Sequence, residues 1–223
     1  MKIVRRQDSL VLWTGLFGGP LFLASLLLFG ALTPGFSQLH KSVSALGGIG
    51  TPWGPWFNGF GLLLPGLFAT GVAVEFRRRL RAAKINTRWA TGLVVFGAML
   101  ALTAIPADFS LMFRSPLTWV HAFFALGDLL VFFLVVPGCA KTLKAFGASP
   151  ISVRIFVVLG YLPSVEFFLY GIFPHVPGLV QRLMIFTVHC VMASLSWTLL
   201  QIGKNNRPVE KPGAELKTSG LDF

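Results

Sequence analysis

Ionisable side chains are rare in the apolar runs of this chain, so each one that occurs there is a candidate for chemistry. The stretch VHAFFALGDLLVFF, residues 120–133, carries His121 and Asp128 seven residues apart. Seven residues is nearly two helical turns, so on a helix the two share a face. At a rise of about 1.5 Å per residue, His121 lies about 6 Å below the nearer end of its run and Asp128 about 16 Å below it, close to mid-bilayer. The same measure puts Asn58 about 5 Å, Glu166 about 12 Å and His189 about 15 Å inside their runs. Two layers result, a shallow one with Asn58, Asp108 and His121 and a deep one with Asp128, Glu166 and His189.

A charge at bilayer depth costs roughly 2.5–3.5 kcal/mol even on the lower scales, so such groups face a bundle interior and find partners. One reading is a polar cavity that binds a ligand or relays protons. The other is that Asp128 and Glu166 are protonated, or paired with His189 and Tyr170, as ties between helices. The residue types leave both open. His121, His175, His189 and Asp108 are suitable metal ligands, but no H-x-x-x-H or H-E-x-x-H spacing joins them, and no metal site is expected. Haem between His121 and His189 fails on depth, since the two differ by about 9 Å. No cofactor is therefore expected. Ser42 and Ser44 are available nucleophiles without a G-x-S-x-G elbow around them, so hydrolase chemistry is permitted but not indicated.

The elements that hold these residues are helices in a bilayer. Of 223 residues, 54% are hydrophobic and 12% charged, where soluble domains carry about 25% charged residues. Six apolar runs approach the ~20 residues that a ~30 Å hydrocarbon core requires. They fall near residues 10–32, 55–76, 89–106, 117–138, 153–174 and 179–202, the third short and the fifth interrupted by Pro163. Continuous runs without period-two alternation select helices over a barrel. Gly15 and Gly19, four apart in the first run, read as a helix-packing face.

Of 19 Lys and Arg, 16 lie before the first run, in the second and fourth connections, or after the sixth; only Lys41, Arg114 and Arg182 lie on the other side. By the positive-inside rule both termini are expected in the cytoplasm. The net charge of +11 is then a topology signal, and no nucleic-acid partner is expected. The EFRRRLR stretch from Glu75 extends the second helix into anionic headgroups, where each cation is worth about 1 kcal/mol. The basic start reads as part of a retained first helix and not as a cleaved leader. Residues 1–204 form one six-helix transmembrane domain, and the polar tail 205–223 is expected to be disordered. Two cysteines, Cys139 and Cys190, make no disulfide framework.

The features at the less basic ends of the runs form an ordered set. Gly19-Pro20 comes first, then PGFS from Pro34, SVSALG from Ser42 and TPWGPWFN from Thr51 to Asn58. Pro106-Ala107-Asp108 follows, with His121 thirteen residues after the aspartate, and GLVQR from Gly178 to Arg182 opens the last run. In this order they resemble the prokaryotic membrane-protein family catalogued as domain of unknown function 998. The resemblance runs from the first helix to the sixth. It implies that Ser44, Leu46 and Gly47 match an S-x-L-G segment, and that Pro106, Asp108 and His121 match a proline–aspartate pair before a histidine-bearing helix. Here Ala107 separates that pair. The family carries no assigned reaction.

The expectation is therefore an all-α, six-helix bundle of the cytoplasmic membrane with an outward-facing polar site. Asn58, Asp108, His121, Ser44 and Arg182 would bind a lipid or small molecule, with membrane lipids as the surrounding partners. Two rivals stand beside it: an intramembrane hydrolase or transferase using Asp108, His121 and a first-loop serine, and a proton-coupled transporter using Asp128, Glu166 and His189. A homodimer is compatible with either.

Overall fold

The computed structural model describes residues 6–111, 114–173 and 175–205, and every regular element among them is helical. Lys2, Arg5 and the tail from residue 206 lie outside the described residues, as do the side chains of Tyr170 and Lys204. The seven helices are α1 (Arg6–Leu32), α2 (Val43–Leu46), α3 (Gly54–Ala82), α4 (Arg88–Leu102), α5 (Pro116–Ala145), α6 (Pro150–Ile172) and α7 (Pro177–Asn205). Five contain spans long and apolar enough to cross a bilayer: Leu10–Leu32, Gly54–Ala82, Pro116–Ala145, Pro150–Leu169 and Pro177–Gly203. The expected third run appears as α4, a 15-residue apolar helix shorter than the other five.

Local chemistry accounts for the helix starts. Proline sits at the beginning of α5, α6 and α7, where its missing N–H costs nothing. Ser149 caps α6 by accepting from the Ser152 amide at 3.1 Å. Pro163 does not interrupt α6 as the sequence suggested; the helix runs through it, as α1 runs through Pro20 and α5 through Pro137. A proline inside a bilayer helix frees one carbonyl, which local adjustment and neighbouring groups re-satisfy. Within α3 the residues Asn58–Leu63 form a π-helical turn, where the Leu64 amide reaches back to the Gly59 carbonyl.

The long helices close into a ring in the order α1, α3, α4, α5, α6, α7 and back to α1, with α5–α6 the sparsest contact between neighbours. Two apolar cores fill it. The larger joins Phe76 of α3, Phe96 of α4, Phe132 of α5, Phe156 of α6 and Leu195 of α7. A smaller one gathers Phe22, Leu26, Leu46, Phe57 and Leu62 near the first loop. The α3–α4 crossing is set by small residues: a Cβ on Gly66 would overlap the Ala101 backbone, and one on Gly97 would come within 2.7 Å of the Thr70 nitrogen. The expected Gly15 and Gly19 face also forms, against Ser196 and Val72 at the first position and His189 and Phe186 at the second.

The arginine-rich end of α3 does more than meet solvent. Glu75 and Arg79 are 6% and 9% exposed and joined at 2.6 Å, while Arg78 forms a two-pronged pair with the same carboxylate from a largely exposed position. Arg79 Nη1 also donates to the Leu199 carbonyl of α7 at 2.7 Å. The EFRRRLR stretch therefore ties α3 to α7 as well as continuing the helix. Removing one partner of a buried pair strands the other charge, at about 3–5 kcal/mol. Glu75→Ala should accordingly lower the thermal stability of purified protein sharply, and Arg79→Leu added to it should restore part of the loss. A double variant no better than Glu75→Ala alone would refute this account.

Candidate functional site

The first loop is folded back onto the start of α7. Val43 N–H donates to Gln181 Oε1 at 2.7 Å, Leu179 N–H to the Leu39 carbonyl at 3.2 Å, and Arg182 to Gln38 Oε1 and the Lys41 carbonyl, both at 2.8 Å. The Arg182 guanidinium lies 5.4 Å over the Phe36 ring, and the residue is 8% exposed. Arg182 was expected to present its charge to a ligand. In the structure it is a buried clamp, because the loop carbonyls fold over it.

This clamp sets α2 as a roof over a cavity of about 80 Å³ between α3, α4, α5 and α7. Its polar lining is Ser44 from α2, Thr103 from the end of α4, His121 and Asp128 from α5, and Gln181 from α7. The rest is apolar, with Phe96, Leu100, Leu129, Met184 and Val188 among the walls. His121 and Asp128, assigned to separate layers from their depths, thus meet one cavity that extends along α5 past both. Depth alone could not show that the void continues between them.

His121 is half-buried, and its Nδ1 lies 2.8 Å from the Ile105 carbonyl. A carbonyl only accepts, so Nδ1 carries a proton, and in the neutral ring Nε2 keeps the lone pair. Asp128 is 8% exposed, and no described side chain pairs with it. Thr103 is internally satisfied, its hydroxyl donating to Leu100 O at 2.6 Å.

Other expected site residues go elsewhere. Asn58 is buried, donates from Nδ2 to the Gly47 carbonyl at 2.8 Å, and lines a wider recess of about 530 Å³ with Gly48, Thr51 and Pro106. Asp108 turns its carboxylate onto its own loop, accepting from Ser110 Oγ at 2.6 Å and from the Ser110 and Leu111 amides. The loop is moored to α5 through Thr118 Oγ1, which accepts from Asp108 N–H and donates to Asp108 O. Asn58, Asp108 and His121 therefore do not converge on one site.

The deep set also separates. Glu166 accepts from Thr187 Oγ1 at 2.9 Å, and His189 packs against Phe22 with ring centroids 5.6 Å apart. Among the described residues no hydrogen bond links Asp128, Glu166 and His189, and no group of three His, Cys, Asp or Glu could hold a metal ion. The pairing expected with Tyr170 lies outside the described side chains. Sequence reasoning missed Gln181, whose only signal was a polar residue at the start of an apolar run. It also missed the π-turn, which no residue pattern announced.

The sequence pattern of a family described as "Protein of unknown function (DUF998)" matches residues 16–198, from α1 through most of α7. The chain belongs to the DUF998 family. It is thus a multi-pass membrane protein of an uncharacterised family, and both the cavity and its clamp fall within the DUF998 region. No curated protein and no solved structure matches the chain.

The Ser110 hydroxyl, followed by the Leu111 amide, holds the Asp108 carboxyl below the usual carboxylate range. A depressed value means that the turn gains stability from ionisation above the unfolded-state value and loses it as pH falls through the lower folded one. Hydrogen-exchange protection of the Ser110 and Leu111 amides should persist through the ordinary carboxylate range and fail only in stronger acid. Loss of protection within the ordinary range would contradict this assignment.

Proposed function

We propose that the chain crosses a prokaryotic cytoplasmic membrane six times, with both termini inside, and that it binds a membrane amphiphile in the cavity beneath α2. The short α4 supports the sixth crossing. Backbone bonds from Thr103, Ala104 and Ile105 carry its helical turns on to Ile105, a length of about 27 Å at 1.5 Å per residue. The five-residue connection from α3 also requires it to run back beside that helix. The excess of Lys and Arg at the opposite end supports placing α2 and the cavity toward the outside.

The observation that carries the binding reading is that Ser44, His121, Asp128 and Gln181, with the internally bonded Thr103, line one void whose remaining walls are apolar. Hydrogen-bonding groups set in apolar walls are what a ligand with one polar group and an apolar remainder requires. At about 80 Å³ the void is well below the ~300 Å³ of a pocket for a whole drug-sized molecule. It would take a polar group and its first few carbons, leaving the rest of an amphiphile in the bilayer. The sparse α5–α6 contact and the lipid-exposed faces of both helices favour approach from the membrane side. Proton-coupled transport receives no comparable support, since Asp128, Glu166 and His189 sit in three separate environments.

Two measurements test this reading. A diazirine-bearing acyl lipid in nanodiscs should crosslink to Leu129 or Met184, and Ala125→Trp, which fills the void, should reduce that crosslinking at least tenfold; unchanged crosslinking would sink the binding site. For topology, Leu111→Cys should react with an impermeant maleimide on intact cells, and Ala83→Cys only after permeabilisation, both made with Cys139 and Cys190 replaced by serine. The reverse pattern would overturn the orientation.

A further inference from the structure

Ser44 and His121 line the same cavity, and among the described residues neither the Ser44 hydroxyl nor His121 Nε2 has a hydrogen-bond partner. The Ser44 hydroxyl has no hydrogen-bond partner among the described residues, whereas the neighbouring Ser42 hydroxyl is occupied in capping α2. His121 is held in one tautomer by the Ile105 carbonyl, so its Nε2 is a free base in a cavity that the serine also lines. The third component is Gln181. Its Oε1 is committed to the Val43 amide, one residue before Ser44, which leaves its amide NH2 without a partner among the described residues on a side chain that lines the same cavity.

From this arrangement we propose that the cavity is an acyl-transfer site, in which Ser44 attacks the carbonyl of a carboxylic ester in a membrane amphiphile. The proposal rests on the binding reading above. Ser44 Oγ forms a bond to the carbonyl carbon while its proton passes to His121 Nε2. The carbonyl oxygen takes the negative charge and accepts from the Gln181 amide, as a donor set for an oxyanion does. The ester C–O bond then breaks, and the alcohol leaves with the proton from His121. Water, or a second alcohol, attacks the acyl-serine and gives its proton to His121. Collapse returns that proton to Ser44 and releases a carboxylic acid or a new ester.

Placement supports the substrate class. His121 is five residues into α5, about 8 Å from its start, which is near the boundary between headgroups and acyl chains where lipid ester linkages lie. Asp128, deeper on the same face, is within the cavity but about 10 Å further along α5. It is a positioning residue at most, not the partner of the His121 ring.

An alkyl fluorophosphonate added to full-length protein in nanodiscs should form a covalent adduct mapped by mass spectrometry to Ser44. Ser44→Ala should abolish the adduct. His121→Gln, which can still donate to Ile105 but lacks the base, should slow labelling about 100-fold, the low end for loss of a general base. Diazirine-lipid crosslinking of the same samples separates the two readings. Crosslinks at the cavity without a Ser44 adduct overturn acyl transfer and leave binding standing, and absence of both overturns both. An adduct on another residue, or an unchanged rate in a His121→Gln protein that unfolds at the wild-type temperature, also overturns the proposal.

Discussion

A single hydrogen bond from Val43 N–H to Gln181 Oε1 fixes where the first loop ends and where the interior begins. In the loop from Thr33 to Ser42, Phe36 packs against the smaller core while Leu39 stays exposed, so apolar burial fastens it at one point only. It is held by polar bonds to α7, with Arg182 supplying two of them from a buried position. In a region shielded from water such bonds gain strength and punish loss of a partner. Once the loop is seated, Val43 and Leu46 of α2 enter the smaller core, and Ser44, between them, faces the void.

The two ends of the bundle are fastened by different means. At the α2 end, side chains grip backbone carbonyls and amides, which fixes a loop of irregular shape. At the arginine-rich end, Glu75 and Arg79 form a charged tie that reaches the last turns of α7. Between them the α3–α4 crossing is closed by glycine, close enough that backbone meets backbone or its first side-chain atoms. The void lies beside this tightly packed zone, where α5 and α7 stand apart, and its wall residues Phe96 and Leu100 directly neighbour Gly97 and Ala101 of the crossing. The bonded roof therefore closes the cavity at one end, and from there it runs along α5 from His121 to Asp128.

Much of the fold was legible because bilayer helices write themselves in composition. The runs at 10–32, 117–138 and 179–202 fall within α1, α5 and α7, with α5 running on to Ala145, since nothing but a helix satisfies an apolar backbone in lipid. The site was less legible. Spacing put His121 and Asp128 on one face correctly, but helix depth separated residues that a continuous void joins. Arg182 was expected to meet a ligand because a sequence does not reveal that Gln38 and Lys41 return to meet it. Asp108 read as a ligand because its matching position in the family stood out, whereas its carboxylate serves the turn that follows it. In each case the deciding partner came from a distant segment or from the backbone, neither of which side-chain type records.

The π-turn at Asn58–Leu63 lies between two spaces: Leu62 faces the cavity, while Asn58, Gly59 and Leu63 face the wider recess. A turn of this kind is an α-helix carrying one surplus residue. Deleting one residue here would relax the segment to an ordinary helix and leave the faces of Gly54–Phe57 and Leu64–Ala82 nearly as they are. The same deletion elsewhere in α3 would rotate everything beyond it by about 100°, taking Gly66 off α4 and Arg79 off α7. Asn58–Leu63 is therefore a stretch of α3 where a one-residue change in chain length would reshape the wall between the two spaces while leaving the helix faces on either side nearly in register.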